Sequence, residues 1–315
     1  MKVALIATLY NEADNVGLWW DCLRRQTVLP DEIVIVDGGS KDGTWEKLQT
    51  ITRQSLVPVK LDQRRCNIAQ GRNRAISLTD AQIIACTDAG SFPEPAWFGE
   101  ITRPLREDES LDATGGLNIS NEVTPFQKFL ARIEPREESG VRNGRVSPSS
   151  RNTAFRRQAW AEVGGYPEWL TLTGEDALFT LALHKIGKSF LYNPKAIVHW
   201  NLRETETDFF TMLYNYGYGA AEAQIGWPYF RQRLIISLFP PILLLSRHRF
   251  RHLRFRYLKN LSSARGWVAG KLVGHRPPAG WVEREGVLLS PEAQQYLSRR
   301  ENLTPEDREF NSRSP

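Results

Sequence analysis

Short apolar runs alternate with amphipathic segments over the first 110 residues. The runs at 3–7, 33–36, 57–61 and 83–86 are rich in branched apolar residues, which is typical of strands inside a parallel sheet. Between the runs, apolar residues recur at helical spacing, as they do over 16–23. This alternation predicts an α/β protein with a doubly wound, mostly parallel sheet.

The pattern changes at about residue 111, where longer polar stretches separate the apolar runs. Strands and helices still follow one another, but the strands are shorter. The predicted elements are strands at 113–119, 153–156, 189–192 and 196–200, and helices at 125–133, at 158–163 and from 174 onward. We therefore expect one domain over 1–225, with a first half at 1–110 and a second half at 111–225.

Two segments of the second half are candidates for contact with a ligand. The polar stretch 136–151 is rich in Arg, Gly and Ser, and loops of this length are often functional. We expect it to close over bound substrate. The aromatic stretch 209–218 offers flat apolar faces that could line a binding site or pack in the core, and the sequence leaves both interpretations open.

The last third combines an apolar stretch with a basic one. Residues 234–246 are apolar but broken by Pro240 and Pro241, and 247–259 interleave Arg and Lys with aromatic residues and His. Thirteen apolar residues are too few to span a bilayer, so this pattern favours a segment that lies in the membrane surface. A core helix hairpin with a solvated basic face is the alternative. Without a recognised binding motif, we expect no nucleic-acid partner.

These features divide the chain into three parts. After the domain at 1–225, we expect a helical membrane-association extension at 226–275 and a loosely held polar tail at 276–315. The net charge of +5 is modest, and the three cysteines have no metal-ligand spacing. A strand begins directly after Lys2 without the pattern of a signal peptide. We therefore expect a cytoplasmic protein, peripheral on the inner face of the membrane.

Carboxylates stand where predicted strands end and where one helix begins. Asp37 and Asp88 follow buried strands, Asp176 opens a helix, and His199 ends a strand. Ligands of open α/β sheets bind outside the carboxyl ends of the strands, and the small residues after Asp88 leave room for one. The alternative for Asp88 is that it caps a loop or helix. The alternative for Asp176 is that it is only an acid at a helix N-terminus, where the helix dipole stabilises it.

The chain lacks the usual phosphate-binding loops. The first strand is not followed by Gly-x-Gly-x-x-Gly, and the chain contains no Walker-type loop Gly-x-x-x-x-Gly-Lys-Ser/Thr. A bound nucleotide would then depend on acids that contact the base and ribose, and on a divalent metal or arginines at the phosphates.

Four motifs in order resemble those of inverting glycosyltransferases of family 2, which have the GT-A fold. The resemblance covers roughly residues 1 to 225. The motifs are Tyr10-Asn11-Glu12, the segment 35–44 around Asp37, Arg72-Asn73 ahead of Asp88-Ala89-Gly90, and Gly174-Glu175-Asp176 followed by His199.

The resemblance assigns the donor side of a site. It implies that Thr8, Tyr10 and Glu12 line the base and ribose of a nucleotide sugar and that Asp37 accepts a hydrogen bond from the base. It places Arg72 near the diphosphate, and it makes Asp88, followed by Ala89, the first acid of the Asp-x-Asp motif. A surface position on its helix is the alternative for Arg72.

The resemblance also implies the catalytic side. Asp176 matches the general base, Glu175 and Gly174 match acceptor-binding positions, and His199 matches a residue that completes a metal shell with Asp88. A divalent metal (Mn²⁺ or Mg²⁺) is thereby implied. Gly90, however, replaces the second acid of the motif, so a metal would lose a carboxylate ligand. For His199 a strand-end or core position is the alternative.

The resulting hypothesis is a glycosyltransferase that inverts the anomeric centre. It would move a sugar, most simply from a UDP-sugar, to a hydroxyl acceptor such as a lipid-linked or polysaccharide precursor. Base catalysis by one carboxylate and charge neutralisation on the leaving diphosphate suit this chemistry. The alternative is a non-catalytic nucleotide-sugar-binding or scaffold protein at the membrane. A nucleotidyltransferase is disfavoured, because 9–15 is not a glycine-rich loop.

Overall fold

A mixed sheet forms the centre of the structure. The computed structural model describes residues 1–133, 141–142, 145–240 and 252–301. Within these ranges the sheet has eight strands in the order β3-β2-β1-β4-β9-β6-β10-β5.

The first half of the sheet is parallel, as the sequence predicts. Branched apolar residues fill these strands, and they are buried because helices cover both faces. The strand order reverses at β1, since β2 and β3 lie on one side of it and β4 on the other. The strands are β1 (Val3–Leu9), β2 (Glu32–Asp37), β3 (Val59–Gln63) and β4 (Ile83–Cys86).

The second half of the sheet adds strands of both directions. β9 runs antiparallel between β4 and β6, β10 runs parallel to β6, and β5 is antiparallel to β10. These strands are β5 (Ser91–Pro93), β6 (Ala113–Asn121), β9 (Thr153–Arg156) and β10 (Phe190–Asn201), and a separate hairpin pairs β7 (Val141–Arg142) with β8 (Arg145–Val146). The carboxyl ends of β1, β2, β4, β6 and β10 therefore share one edge of the sheet. This fold confirms the predicted α/β class.

One strand differs from the prediction. The sequence predicts two strands at 189–192 and 196–200, but β10 is a single strand whose register shifts between Asn193 and Ile197. Pro194 lies in that shift and has no backbone N–H to donate to the ladder. The proline interrupts the hydrogen bonding without ending the strand.

Helices pack on both faces of the sheet. Those of the first half are α1 (Val16–Arg24), α2 (Thr44–Ile51), α3 (Ile68–Ser77) and α4 (Trp97–Glu107). Those of the second half are α5 (Pro125–Ile133), α6 (Arg157–Glu162), α7 (Glu175–Lys185) and α8 (Glu206–Glu222).

The segment 226–275 folds against the domain. It contains α9 (Trp227–Leu238) and α10 (Leu253–Val273). α10 crosses α8 so closely that a Cβ at Gly266 would lie 1.9 Å from the carbonyl oxygen of Tyr214. Among the helices of the described ranges, none has the length and apolar character needed to cross a bilayer.

The predicted loose tail is wrong for residues 282–301. Strands β11 (Val282–Arg284) and β12 (Val287–Leu289) form a hairpin, and α11 (Pro291–Glu301) follows it. Leu289 and Ala293 are fully buried in the core cluster that contains Phe179 of α7. This stretch is mostly polar, and its few apolar residues do not form a pattern that predicts a hairpin or a helix. Residues 302–315 lie outside the described residues.

A substitution at the α8–α10 crossing should destabilise the protein. We expect Gly266→Ala to lower the free energy of unfolding by roughly 1–3 kcal/mol, because the added methyl forces the two helices apart. Denaturant unfolding measures the change. Gly17→Ala on α1 is the matched control, since nothing lies within 4 Å of a Cβ there and the change should stabilise slightly. Equal effects of the two substitutions would contradict the packing argument.

Candidate active site

A cleft opens at the edge of the sheet where the parallel strands end. Its volume is about 560 Å³, within the range of small-molecule sites. It is lined from the β1 end by Thr8 and Tyr10, from the β4 end by Asp88 and Gly90, and from the segment after β10 by Arg203. This position is the one where open α/β sheets bind ligands.

Five of the predicted site residues line this cleft. They are Thr8, Tyr10, Glu12, Asp88 and Ala89. The side chain of Glu12 accepts a hydrogen bond from Asn15 at 2.8 Å, and its backbone N–H donates to Thr44 at 2.8 Å. Burial, together with the charge of Asp88, raises the pKa of Glu12. A polar, partly desolvated wall therefore faces the cleft on the side of β1.

Asp37 lies behind that wall. Its side chain is fully buried, and its carboxylate accepts hydrogen bonds from the backbone and hydroxyl of Ser40 and from Gln63. These contacts close the turn between β2 and α2. In this arrangement Asp37 shapes the loop beside the cleft, and its contact with a base stays a prediction.

Arg72 links the two sides of the site. It lies on α3 with a relative exposure of 3%, so the alternative that it is a surface residue is wrong. One guanidinium nitrogen is 3.0 Å from Asp88 and another is 2.5 Å from Glu175. The guanidinium also lies 5.4 Å from the centre of the Tyr166 ring. A single buried cation thus joins the strand-end acid to the start of α7.

Neighbouring charges set the ionisation of this cluster. Burial alone would lower the pKa of Arg72, but the adjacent Asp88 and Glu175 carboxylates raise it well above its ordinary value. Burial and the nearby Asp176 raise the pKa of Glu175, while Arg72 opposes that shift. Arg72 therefore stays charged, and its charge keeps two acids together in the interior.

Asn73, the other half of the predicted motif, supports Arg72 from below. Its side-chain oxygen accepts from the Tyr166 backbone and the Trp160 ring, and its amide nitrogen donates to the carbonyl of Tyr166. These bonds fix the turn that carries Tyr166 under Arg72.

Asp176 stands at the first turn of α7, next to Glu175. Gly174 precedes the helix with φ of +97°, a conformation that favours glycine. α8 passes directly against this turn, because a Cβ at Gly219 would lie 1.9 Å from the carbonyl oxygen of Thr173. Asp176 is half-buried, and its carboxylate accepts the N–H of Ala177 at 2.8 Å. The position of this acid thus depends on two packed helices.

His199 and Asp88, the predicted metal ligands, each contact another side chain in the structure. His199 contacts Glu94 at 2.9 Å, and Asp88 pairs with Arg72. In the ranges that the structure describes, no group of three or more His, Cys, Asp or Glu side chains could hold a metal ion. The described side chains alone therefore do not complete a metal site, and the metal roles of Asp88 and His199 stay predictions.

Each of the two segments predicted to contact substrate contributes residues to the cleft. On α8, Phe209 is buried in a cluster of aromatic residues with Phe126 and Phe255, whereas Met212 and Tyr216 line the cleft. One stretch thus supplies both core and cleft surface. In the predicted loop 136–151, residues 136–140 and 143–144 lie outside the described residues, and Arg151 lines the cleft.

Arg151 and Arg203 line the cleft but were not predicted as individual site residues. Arg203 follows β10 by two residues, so the rule that found Asp88 at a strand end would also have found it. Arg151 precedes β9 by two residues and reaches the same edge only because β9 runs antiparallel. That direction is not visible in the sequence.

Relatives with known roles match much of this chain. The O-antigen chain rhamnosyltransferase RfbN of Salmonella typhimurium is 26% identical over 237 residues, which cover 69% of this chain and 72% of that protein. The succinoglycan biosynthesis protein ExoA of Rhizobium meliloti is 23% identical over 253 residues, 75% of each chain.

Solved structures share the fold at lower identity. The mannosyltransferase PcManGT from Pyrobaculum calidifontis, in complex with GDP-Man and Mn²⁺, is 16% identical with a TM-score of 0.53, over 99% of this chain and 83% of that chain. S. aureus TarS in complex with UDP-GlcNAc is 15% identical with a TM-score of 0.53, over 91% of this chain and 96% of that chain. These likenesses confirm the predicted GT-A fold.

The profile of the family "Glycosyl transferase family 2" matches residues 4–199. The matched region contains the cleft-lining residues from Thr8 to Asp88, the Arg72 cluster and the start of α7. Since the match spans more than half of the chain, this protein belongs to glycosyl transferase family 2.

Proposed function

We propose that the protein transfers a sugar from a nucleotide-sugar donor to a hydroxyl acceptor with inversion at the anomeric carbon. A UDP-sugar is the simplest donor, and a lipid-linked or polysaccharide precursor is the acceptor class. The names of the relatives, an O-antigen chain rhamnosyltransferase and a succinoglycan biosynthesis protein, support a saccharide acceptor.

The observation that carries the proposal is the ion-pair chain from Asp88 through Arg72 to Glu175. It fixes the acid at the donor cleft relative to Asp176, the candidate base, in the adjacent position. A donor in the cleft and an acceptor at the start of α7 would therefore meet across this cluster. Gly174 and Glu175 are the acceptor-side residues in this arrangement.

The chemistry assigns one task to Asp176. Its carboxylate removes the proton of the acceptor hydroxyl while that oxygen attacks the anomeric carbon. The bond to the nucleoside diphosphate breaks on the opposite face of the sugar, which gives inversion by the same geometry as in inverting glycosidases. Cationic groups must meanwhile offset the charge that develops on the leaving diphosphate.

A second proposal concerns the membrane. Exposed apolar side chains lie at the end of α9, where Leu238 is 67% and Phe239 is 65% exposed, and basic residues such as Arg254 follow on α10. An apolar surface beside basic residues suits an interfacial contact with anionic lipid, which would bring the cleft to a lipid-linked acceptor. Residues 241–251 of the predicted segment lie outside the described residues.

The base assignment is tested with Asp176→Asn. A panel of UDP, GDP, CDP and dTDP in a thermal-shift assay first identifies the donor base, because a ligand at a hundred times its Kd adds about 2.7 kcal/mol of stability. The variant should keep that shift but release nucleoside diphosphate at least about 100-fold more slowly. Asp21→Asn is the control, because Asp21 lies on α1 with a half-exposed side chain. Turnover retained in the variant would contradict the base assignment, and binding without turnover in the natural protein would favour the non-catalytic alternative.

The buried ion pair is tested with Arg72→Gln. Removing the cation leaves Glu175 buried without its partner, so we expect a loss of roughly 3–5 kcal/mol of unfolding free energy. Denaturant unfolding of Arg72→Gln, Glu175→Gln and the double variant measures the coupling. Neutralising both should recover part of the loss. Arg74→Gln, which loses a partly exposed pair with Asp62 at 2.6 Å, should cost about 1 kcal/mol or less. A double variant no more stable than Arg72→Gln alone would contradict the argument.

The membrane contact is tested by co-sedimentation with vesicles. The protein should bind vesicles that contain phosphatidylserine more tightly than neutral ones. Leu238→Ser with Phe239→Ser should weaken binding by roughly tenfold or more, since each apolar side chain contributes about 1.5–3 kcal/mol when buried. Leu56→Ser is the control, because Leu56 is 81% exposed and lies before β3. Unchanged binding of the double variant would exclude this surface as the contact.

A further inference from the structure

The diphosphate of a donor needs positive charge in a cleft whose side chains do not form a metal site. Asp88 is paired with Arg72, Gly90 carries no side chain, and His199 contacts Glu94. A nucleoside diphosphate bound at this sheet edge would still carry two to three negative charges that must be offset. The cleft contains cations that can do so.

Arg151 is the first of these cations. Its guanidinium lies 4.5 Å from the centre of the Trp200 ring, which holds it against the cleft wall. Its Nε atom is buried and has no hydrogen-bond partner among the described residues. A buried donor without a partner is costly. The Trp200 ring thus holds an arginine that can still donate a hydrogen bond.

Arg203 is the second cation. It follows the end of β10 and lines the same cleft. Within the described ranges it has no carboxylate within ion-pair distance. Its positive charge lowers the pKa of Glu12 on the other side of the cleft, whereas burial raises that pKa.

The acids of the cleft are largely engaged by other donors. Asp88 pairs with Arg72, Glu12 accepts from Asn15, and the carboxylate of Asp208 accepts from the hydroxyl of Thr205 at the start of α8. Glu204 is exposed. The two arginines (the arginine pair) therefore remain the uncommitted charges beside the strand end at Asp88, and guanidinium groups match phosphate oxygens in two-point hydrogen bonds.

We propose that Arg151 and Arg203 bind the diphosphate of the nucleotide-sugar donor and neutralise it as it leaves, so that diphosphate binding does not depend on a divalent metal. The inference rests on the proposed function, since it assigns the phosphate subsite of the same cleft. Gly90 has a direct role in this arrangement. Without a carboxylate at that position, the strand end has one negative charge fewer to repel an anion held by the arginine pair.

Calorimetric titration of the full chain tests the inference. UDP, GDP, CDP and dTDP are titrated in EDTA and again with Mg²⁺ or Mn²⁺, and the corresponding nucleoside of the best ligand is titrated alongside. We expect the same Kd with and without metal. Arg151→Gln and Arg203→Gln should each raise the Kd of the diphosphate by about tenfold or more, the typical effect of losing a charged hydrogen bond, without changing the Kd of the nucleoside.

Two sets of variants keep the result interpretable. Arg151→Lys and Arg203→Lys retain the charge but lose the two-point geometry, so their Kd values should fall between those of the natural protein and the Gln variants. Arg24→Gln is the control, because Arg24 ends α1 at the opposite edge of the sheet and is half-exposed. Melting temperatures of all variants identify any that fail to fold.

The outcomes separate the inference from the function on which it rests. Diphosphate binding that disappears in EDTA and returns with Mn²⁺ would overturn the inference and leave the donor site intact. An equal loss of nucleoside and diphosphate affinity in the Gln variants would also overturn it, since the arginines would then support the cleft generally. Failure of every nucleotide to bind would overturn the proposed function itself, and the inference with it.

Discussion

The buried guanidinium of Arg72 is the constraint on which the site depends. Removing a charge from water costs several kcal/mol, and here two carboxylates from distant parts of the chain offset that cost. Asp88 follows β4 in the first half of the domain, whereas Glu175 begins α7 in the second. Moving either carboxylate away from Arg72 would leave a buried charge without its partner. The ion pairs therefore hold Asp88 on the donor side close to Glu175 on the catalytic side.

Much of this arrangement follows from the direction of the strands, and that part was predictable. Buried apolar runs identify β1, β2 and β4, and strands that run parallel must end at one edge, so Asp37 and Asp88 were expected there together. The family resemblance added Thr8, Arg72 and the start of α7. The burial of Arg72 was not predictable, because an arginine at helical spacing has the same pattern on a surface as in the interior.

The elements that sequence analysis missed depend on contacts made far along the chain. β9 enters the sheet antiparallel, and nothing in 153–156 indicates that direction, so the role of Arg151 was hidden. Residues 282–301 are polar in composition, yet Leu289 and Ala293 complete the core around α7. The apolar pattern of 282–301 is too short to distinguish a folded hairpin and helix from a tail, because only a few buried side chains attach this segment to the core.

The C-terminal helices also belong to the mechanics of the site. Glu222 of α8 is only 2% exposed, and it accepts hydrogen bonds from the backbone and hydroxyl of Thr171 and from the backbone of His275. It thereby ties the loop that leads into α7 to the segment that follows α10. α10 in turn packs on α8 at glycine positions, where the backbones of the two helices are in direct contact. The start of α7, α8 and α10 therefore form one packed unit, and the predicted boundary at residue 225 lies inside it.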